Sequence, residues 1–249
     1  MIHAVRNQAP LQWLNRYIGK LKMALTSQSD APTTGWTDDF SGTDFWNICH
    51  EKQSAMLLSG NSGEVIWKNL SVTPLVKRDA RVLNIGVGLG LCTRDLYKRG
   101  CKVDALDIST VGLERVKSFV EKGWLASDVD QLPEGRYDLA LSHLVAQHML
   151  DEDLDKQLRA VVKALKPAGV FAIQIAYPMH DSVASRRRQW RLADAKAGSV
   201  YRPLSRFAEM VEAAGGQVRN AATVGFYPEY QIGWYAVHIM KDTAPPAKA

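Results

Sequence analysis

Val82-Leu83-Asn84-Ile85-Gly86-Val87-Gly88-Leu89-Gly90 decides how this chain is read. An apolar run stops at three glycines spaced two apart, and a segment with helical periodicity follows. A glycine has no Cβ, so the backbone can turn tightly there and come close to a ligand. Seventeen residues past Gly90, Asp107 closes a second apolar run. Carboxylate oxygens are good paired acceptors for the vicinal diol of a ribose. A strand, a glycine turn, a helix, a second strand and an acid together make room for a nucleoside cofactor at the carboxyl edge of a parallel sheet. The dinucleotide fingerprint needs G-x-G-x-x-G. Counted from Gly86 and Gly88, its third glycine falls on Leu91, so the spacing argues against that form.

Working outward, strands are expected at 81–85, 102–106, 123–127, 137–142, 169–176, 217–224 and 234–240, and helices at 91–99, 110–122, 151–165 and 203–214. Such alternation implies an α/β fold: a Rossmann-like, mostly parallel seven-stranded sheet with helices on both faces. The last two strands follow each other across Gly225–Gly233 with no helix between them, so a hairpin there reverses the final strand. Before this unit, residues 44–79 read as largely helical with a turn at Gly60–Gly63, and 26–43 as a polar linker. The expected organisation is a helical N-terminal extension over 1–79, a cofactor-binding domain over 80–241 carrying an insertion at 178–203, and a disordered tail at 242–249.

Composition narrows the class. The chain has 249 residues, 46% hydrophobic and 23% charged, as expected of a globular protein. Its three cysteines, Cys49, Cys92 and Cys101, have neither disulfide-framework nor metal-ligand spacing, and no metal site is expected. With no long apolar run and no signal-peptide pattern, a cytoplasmic location is expected. The net charge of +5 is uneven: 1–25 is basic, and 186–219 carries eight arginines and lysines against three acids. The second cluster reads either as an attractor for an anionic substrate or as a solvated face. Residues 1–25 read as a basic amphipathic helix that either covers the protein's own core or lies on an anionic membrane surface or a partner.

Val82–Gly90, Asp107-Ile108, Asp128-Val129 with Leu132-Pro133, Tyr137–Met149 and Leu165–Gly169 together resemble the class I S-adenosylmethionine-dependent methyltransferases, in their small-molecule, type 11-like branch. The resemblance covers roughly residues 65–240 and implies S-adenosyl-L-methionine as cofactor. It implies that Gly86 and Gly88 lie beside the methionine moiety and ribose, that Asn84 and Gly90 also belong to the cofactor site, and that Asp107 binds the ribose diol. Ile108 would lie against the adenine, Asp128 would meet its amino group, and the Val129 backbone its ring nitrogen. Ser142 and His143 would line the methionyl end and the mouth of the substrate pocket. Two positions depart from the family: Asn84 stands where an acid is usual, and Pro167-Ala168-Gly169 replaces a Pro-Gly-Gly turn. Asn84 keeps hydrogen-bonding capacity without the charge.

A sulfonium methyl is already activated, so the protein must align an acceptor and, for a hydroxyl, remove a proton. His148 and His143, just past the fourth strand, are the candidate bases, because imidazole titrates near neutral pH. His180 is a further substrate-side candidate. The insertion 178–203 carries Arg186-Arg187-Arg188 and Trp190-Arg191, and helical spacing would put Arg187 and Arg191 on one face to hold an acidic acceptor. Trp36, Phe45, Trp46 and Trp67 either cover the pocket or pack in the core. The expected function is methyl transfer to a small molecule or glycan, at a hydroxyl oxygen, with an acidic sugar among the acceptors considered. N-methylation, RNA methylation and cofactor binding without catalysis are the alternatives. DNA is not expected as a partner, since Ser142-His143-Leu144-Val145 stands where an Asn/Asp-Pro-Pro-aromatic motif would be required.

Overall fold

The computed structural model describes residues 42–52, 58, 60–178, 186–192, 195–227 and 232–242, with the side chains of 186–192, 195–197 and 227 left aside. The expected helix over 1–25, most of the 26–43 linker, Trp36, His180 and nearly all of the tail lie outside these residues. Among the described residues no helix is long and apolar enough to cross a membrane.

The apolar run Arg81–Ile85 forms β1, and Gly90 caps helix α3 (Leu91–Lys98) behind it. Strand β2 (Lys102–Asp107) follows, then helix α4 (Thr110–Val116), whose N-cap Ser109 accepts a hydrogen bond from the Gly112 amide at 3.1 Å. The expected helix over 110–122 is thus shorter than its pattern: it tightens into a 3-10 turn at Lys117–Phe119 so that β3 (Lys122–Leu125) can begin. Strands β4 (Tyr137–Ser142) and β5 (Leu165–Pro178) flank helix α5 (Asp151–Ala164). Helix α6 (Leu204–Ala213) precedes β8 (Gly216–Tyr227) and β9 (Ile232–Lys241). The main sheet has seven strands in the order β3-β2-β1-β4-β5-β9-β8. β3, β2, β1, β4 and β5 are parallel, and β9 runs antiparallel to both neighbours. The reversed final strand stands as the terminal hairpin implied.

Both faces of the sheet are buried, which is why its strands read as near-continuous apolar runs. Successive residues alternate between two cores. Leu83, Ile85, Ala140, Phe171 and Ile173 pack with Leu154, Leu158 and Val161 of α5 and Phe207 and Val211 of α6. Val82, Leu139, Leu141 and Ala172 face Cys92 and Leu96 of α3 on the other side. That second core also takes in Ile66 and Trp67 of helix α2 (Gly63–Asn69) and Leu70, Val72 and Val76 beyond it. Helix α1 (Thr43–Glu51) buries Phe45 and Cys49. Phe45 and Trp67 are therefore core residues, 0% and 3% exposed.

The insertion is not helical where it is described. Arg186–Leu192 is strand β6, paired antiparallel with β7 (Ala195–Tyr201) in a separate two-stranded sheet. The helical spacing expected for Arg187 and Arg191 gives way to strand register, with Arg187 opposite Val200 and Arg191 opposite Lys196. Charged residues occupy four of the seven β6 positions, so no apolar alternation marks the strand in the sequence.

The basic cluster around this hairpin also divides. Arg202, just past β7, is 2% exposed. Its Nε donates to Asp151 Oδ1 at 2.8 Å, and its two terminal nitrogens donate to the carbonyls of Ala146 and Met149. Arg206 pairs with Asp151 and Glu209. Burial pushes the Asp151 carboxyl up, but the Arg202 hydrogen bond and charge outweigh it and leave it below its ordinary value. That stabilisation is present above the unfolded carboxylate range and is lost as pH falls through the depressed value. Arg202→Ala would remove three charge-assisted hydrogen bonds from this loop and leave Asp151 to Arg206 alone. It should lower unfolding free energy by about 3 kcal/mol, read as a fall in the urea midpoint; a change within error would show that the clamp is not structural.

Candidate active site

Parallel strands deliver their carboxyl ends to one edge. Ile85 pairs with Leu106 and with Ser142, and Asp107 with Leu125, so Gly86, Asp107 and His143 come together at the end of β1, β2 and β4. Strand order reverses between β1 and β4, the place where open α/β sheets hold their ligands.

The three glycines all take positive φ: +75° at Gly86, +54° at Gly88 and +80° at Gly90. At Gly86 a Cβ would also lie 2.2 Å from Val145 Cγ2, so the turn after β4 presses directly on the turn after β1. Leu144, inside that second turn, has φ +62°. A non-glycine residue held there costs about 1 kcal/mol or more, and the grip of Arg202 on Ala146 and Met149 maintains it.

Asp107 is 7% exposed. Its Oδ2 accepts from the Val87 amide at 2.7 Å and its Oδ1 from the Ser109 amide at 2.8 Å. One carboxylate thus ties the glycine turn to the cap of α4. Each oxygen retains a further lone-pair site for a hydroxyl. Burial raises its pKa from 3.8 to about 6 against the opposing pull of these amides. A raised carboxyl favours the fold at low pH and loses that contribution as pH rises through about 6. Holding it ionised at neutral pH therefore costs roughly 3 kcal/mol, which hydroxyl donors on a ligand would offset.

Ser142 and His143 are buried, and Ser142 Oγ and His143 Nδ1 have no hydrogen-bond partner. Unmade bonds of this kind cost about 1–3 kcal/mol each, so polar ligand atoms fit the end of β4. Burial lowers the pKa of His143 from 6.5 to about 4. His148 is differently placed. The indole of Trp234 donates to Gln147 Oε1 at 3.0 Å, which turns the amide nitrogen of Gln147 toward His148 Nε2 at 3.2 Å. His148 Nδ1 lies 2.8 Å from the Gly198 carbonyl of β7. An indole can only donate and a carbonyl only accept, so the chain fixes the tautomer: Nδ1 carries the proton and Nε2 accepts. Trp46 of α1 stands edge-on to the His148 ring at 4.9 Å. Burial lowers this imidazole too, to about 4, against the raising effect of the Gly198 bond.

Asn84 lies beneath α3, 4% exposed, and donates its amide hydrogen to Thr93 Oγ1 at 2.9 Å. It ties β1 to the helix that the glycine turn feeds. Ile108 and Asp128 are half-buried and Val129 is buried, following β2 and β3 at the same edge. Asn47 and His50 of α1 were not among the sequence candidates. Asn47 Oδ1 accepts from Ser109 Oγ at 2.7 Å, and His50 Nε2 lies 4.0 Å from Asp107 Oδ1. These contacts span about sixty residues of chain, and no local pattern announces them.

Residues 83–173 match the family model of a methyltransferase domain. The malonyl-[acyl-carrier protein] O-methyltransferase of Pseudescherichia vulneris is 29% identical over 171 residues, 67% of this chain and 62% of that protein. The matched region thus spans less than two thirds of that curated relative. The solved 1,6-didemethyltoxoflavin-N1-methyltransferase of Burkholderia thailandensis, with 1,6-didemethyltoxoflavin and S-adenosylhomocysteine bound, superposes with a TM-score of 0.60 at 19% identity, covering 86% of this chain and 94% of that one. The [4+2]-cyclase SpnF superposes with a TM-score of 0.52 at 14% identity, covering 75% of this chain and 87% of that one. The chain has a Rossmann-like methyltransferase fold. Over 83–173 it matches a methyltransferase domain, and in fold and motif it resembles the class I S-adenosylmethionine-dependent methyltransferases. A cyclase of the same fold means that the reaction must be argued from the site.

The Asp107 linkage gives a pH signature. Of the groups facing it, His50 is held near 4 by burial and by the Arg115 charge. S-adenosylhomocysteine affinity should be flat from pH 7 to 8 and weaken toward the one-proton limit, about tenfold per unit, below about pH 6. Calorimetric titration across pH 5–8 checks this; a constant affinity would remove Asp107 from the ligand.

Proposed function

We propose that the chain transfers a methyl group from S-adenosylmethionine to an oxygen of an acidic small-molecule or glycan acceptor. The observation that carries this reading is the meeting of the Gly86–Gly90 cradle and the Asp107 carboxylate with two unpartnered buried atoms, Ser142 Oγ and His143 Nδ1. Gly86 and Gly88 would admit the cofactor backbone, Asp107 its ribose diol, Ile108, Asp128 and Val129 its adenine, and Ser142 with His143 its methionyl end. Bound S-adenosylmethionine supplies an activated methyl group.

The protein's own part is alignment, exclusion of water and handling of a proton. Alignment is worth about 7–11 kcal/mol in favourable cases. His143 is neutral at pH 7, with an unpartnered nitrogen at the β4 end, and serves as the base. A base of such low pKa suits an acidic hydroxyl, while an ionised carboxylate needs no base at all. His148 is engaged on both ring nitrogens and acts as a positioning residue, holding the β4 loop to β7.

Two further points support an acidic oxygen acceptor. Four arginines in seven residues lie on β6, which β7 joins to the His148 loop, and arginine forks match carboxylates. The curated relative from Pseudescherichia is an O-methyltransferase. Transfer of labelled methyl to a panel of carboxylates, phenols, acidic sugars and their uncharged counterparts tests the reading. Acidic oxygen acceptors should be labelled preferentially. On the best of them, Arg187→Ala/Arg191→Ala should raise the acceptor KM about tenfold or more and leave cofactor affinity unchanged. On a hydroxyl acceptor, His143→Ala should lower kcat by about 10²-fold. Labelling of amines alone, or unchanged kinetics in both variants, would contradict it.

A further inference from the structure

We propose that His50, on the N-terminal helix α1, is a cofactor-binding residue that shares the ribose hydroxyls with Asp107. The assignment rests on the cofactor reading above and adds a contact from outside the matched methyltransferase segment 83–173.

Helix α1 is fastened over the β2–α4 turn at two points. Ser109 Oγ donates to Asn47 Oδ1 at 2.7 Å, and the Arg115 guanidinium donates to the His50 carbonyl. The His50 side chain, 2% exposed, is thereby placed against Asp107. Its Nδ1 has no hydrogen-bond partner, and its Nε2 is 4.0 Å from Asp107 Oδ1, beyond direct hydrogen-bond reach. A hydroxyl oxygen set about 2.8 Å from both Nε2 and Asp107 Oδ1 would bond to both.

The fold makes room for this ring at a cost. Gly112 lies inside α4, where glycine is about 1 kcal/mol worse than alanine. A Cβ there would sit 2.7 Å from His50 Cε1, so the glycine is a notch for the imidazole. An apolar side chain could fill the same notch without leaving a buried nitrogen unpaired, a defect worth about 1–3 kcal/mol. The helical glycine and the orphaned Nδ1 are both costs of keeping this ring, and a ligand bond at Nε2, the nitrogen that faces Asp107, gives a reason to bear them. Burial and the Arg115 charge keep the imidazole neutral at pH 7. A neutral ring protonated at Nε2 would donate to the hydroxyl oxygen, and the hydroxyl would donate in turn to the Asp107 carboxylate.

The test measures calorimetric affinity of the full chain for S-adenosylhomocysteine and for its 2′-deoxy and 3′-deoxy analogues. His50→Leu fills the notch with no polar atom, and His50→Gln restores one. His50→Leu should weaken S-adenosylhomocysteine about tenfold, the loss of one hydrogen bond. It should also erase the wild type's preference for S-adenosylhomocysteine over at least one deoxy analogue, and His50→Gln should recover part of both. Equal weakening for all three ligands, or unchanged affinity, would overturn the assignment and leave His50 as packing. Absence of S-adenosylhomocysteine binding by the wild type would instead overturn the cofactor reading, and this assignment with it.

Discussion

The Asp107 carboxylate is the constraint on which the rest of the site depends. Its two oxygens accept from Val87 and Ser109, one amide in the glycine turn after β1 and one at the cap of α4 after β2. Two loops that would otherwise move independently are fixed to a single planar group. The bonds are made in a buried place, where a charge is costly and its partners correspondingly strong. The opposing effects leave a carboxyl that titrates near 6, ionised at neutral pH but held so at a cost. A ligand offering hydroxyl donors relieves that cost, which gives the site a physical reason to prefer a ribose.

The other half of the crevice is organised by neutral donors and one buried arginine. Trp234, Gln147, His148 and Gly198 form a directional chain in which each donor has one acceptor. Arg202 holds the next turn of the same loop by two carbonyls and Asp151. Together they press Val145 against Gly86 and keep Leu144 in its left-handed conformation. His143 is left with a free buried nitrogen in the middle of a rigid frame, while His148, five residues on, belongs to the frame itself. Two histidines that look alike in sequence thus have different chemistry because of what their ring nitrogens touch.

Most of the sheet was legible because burial on both faces writes apolar runs. β1 and β4 fall at 81–85 and 137–142, where the runs place them, and the reversed β9 follows from two strands with no helix between. The glycine turn was legible because only glycine tolerates its geometry. The β6–β7 hairpin was not, since arginines hide its alternation, and nothing set Arg202 apart from the rest of the basic stretch 186–219. Asn47 and His50 were invisible for another reason: their partners Ser109 and Asp107 are brought to them only by the folding of α1 over the β2–α4 turn. Sequence patterns report local periodicity and local backbone strain; they do not report which distant side chain closes a site.

The central claim is that this crevice holds an adenosyl amino acid and not a dinucleotide. Isothermal titration of the full chain with S-adenosylhomocysteine and with NAD at pH 7.5 tests it most directly. The account predicts saturable one-site binding of S-adenosylhomocysteine that is lost in Asp107→Ala, with no binding of NAD. Binding of NAD alone, or S-adenosylhomocysteine binding that survives Asp107→Ala unchanged, would contradict it.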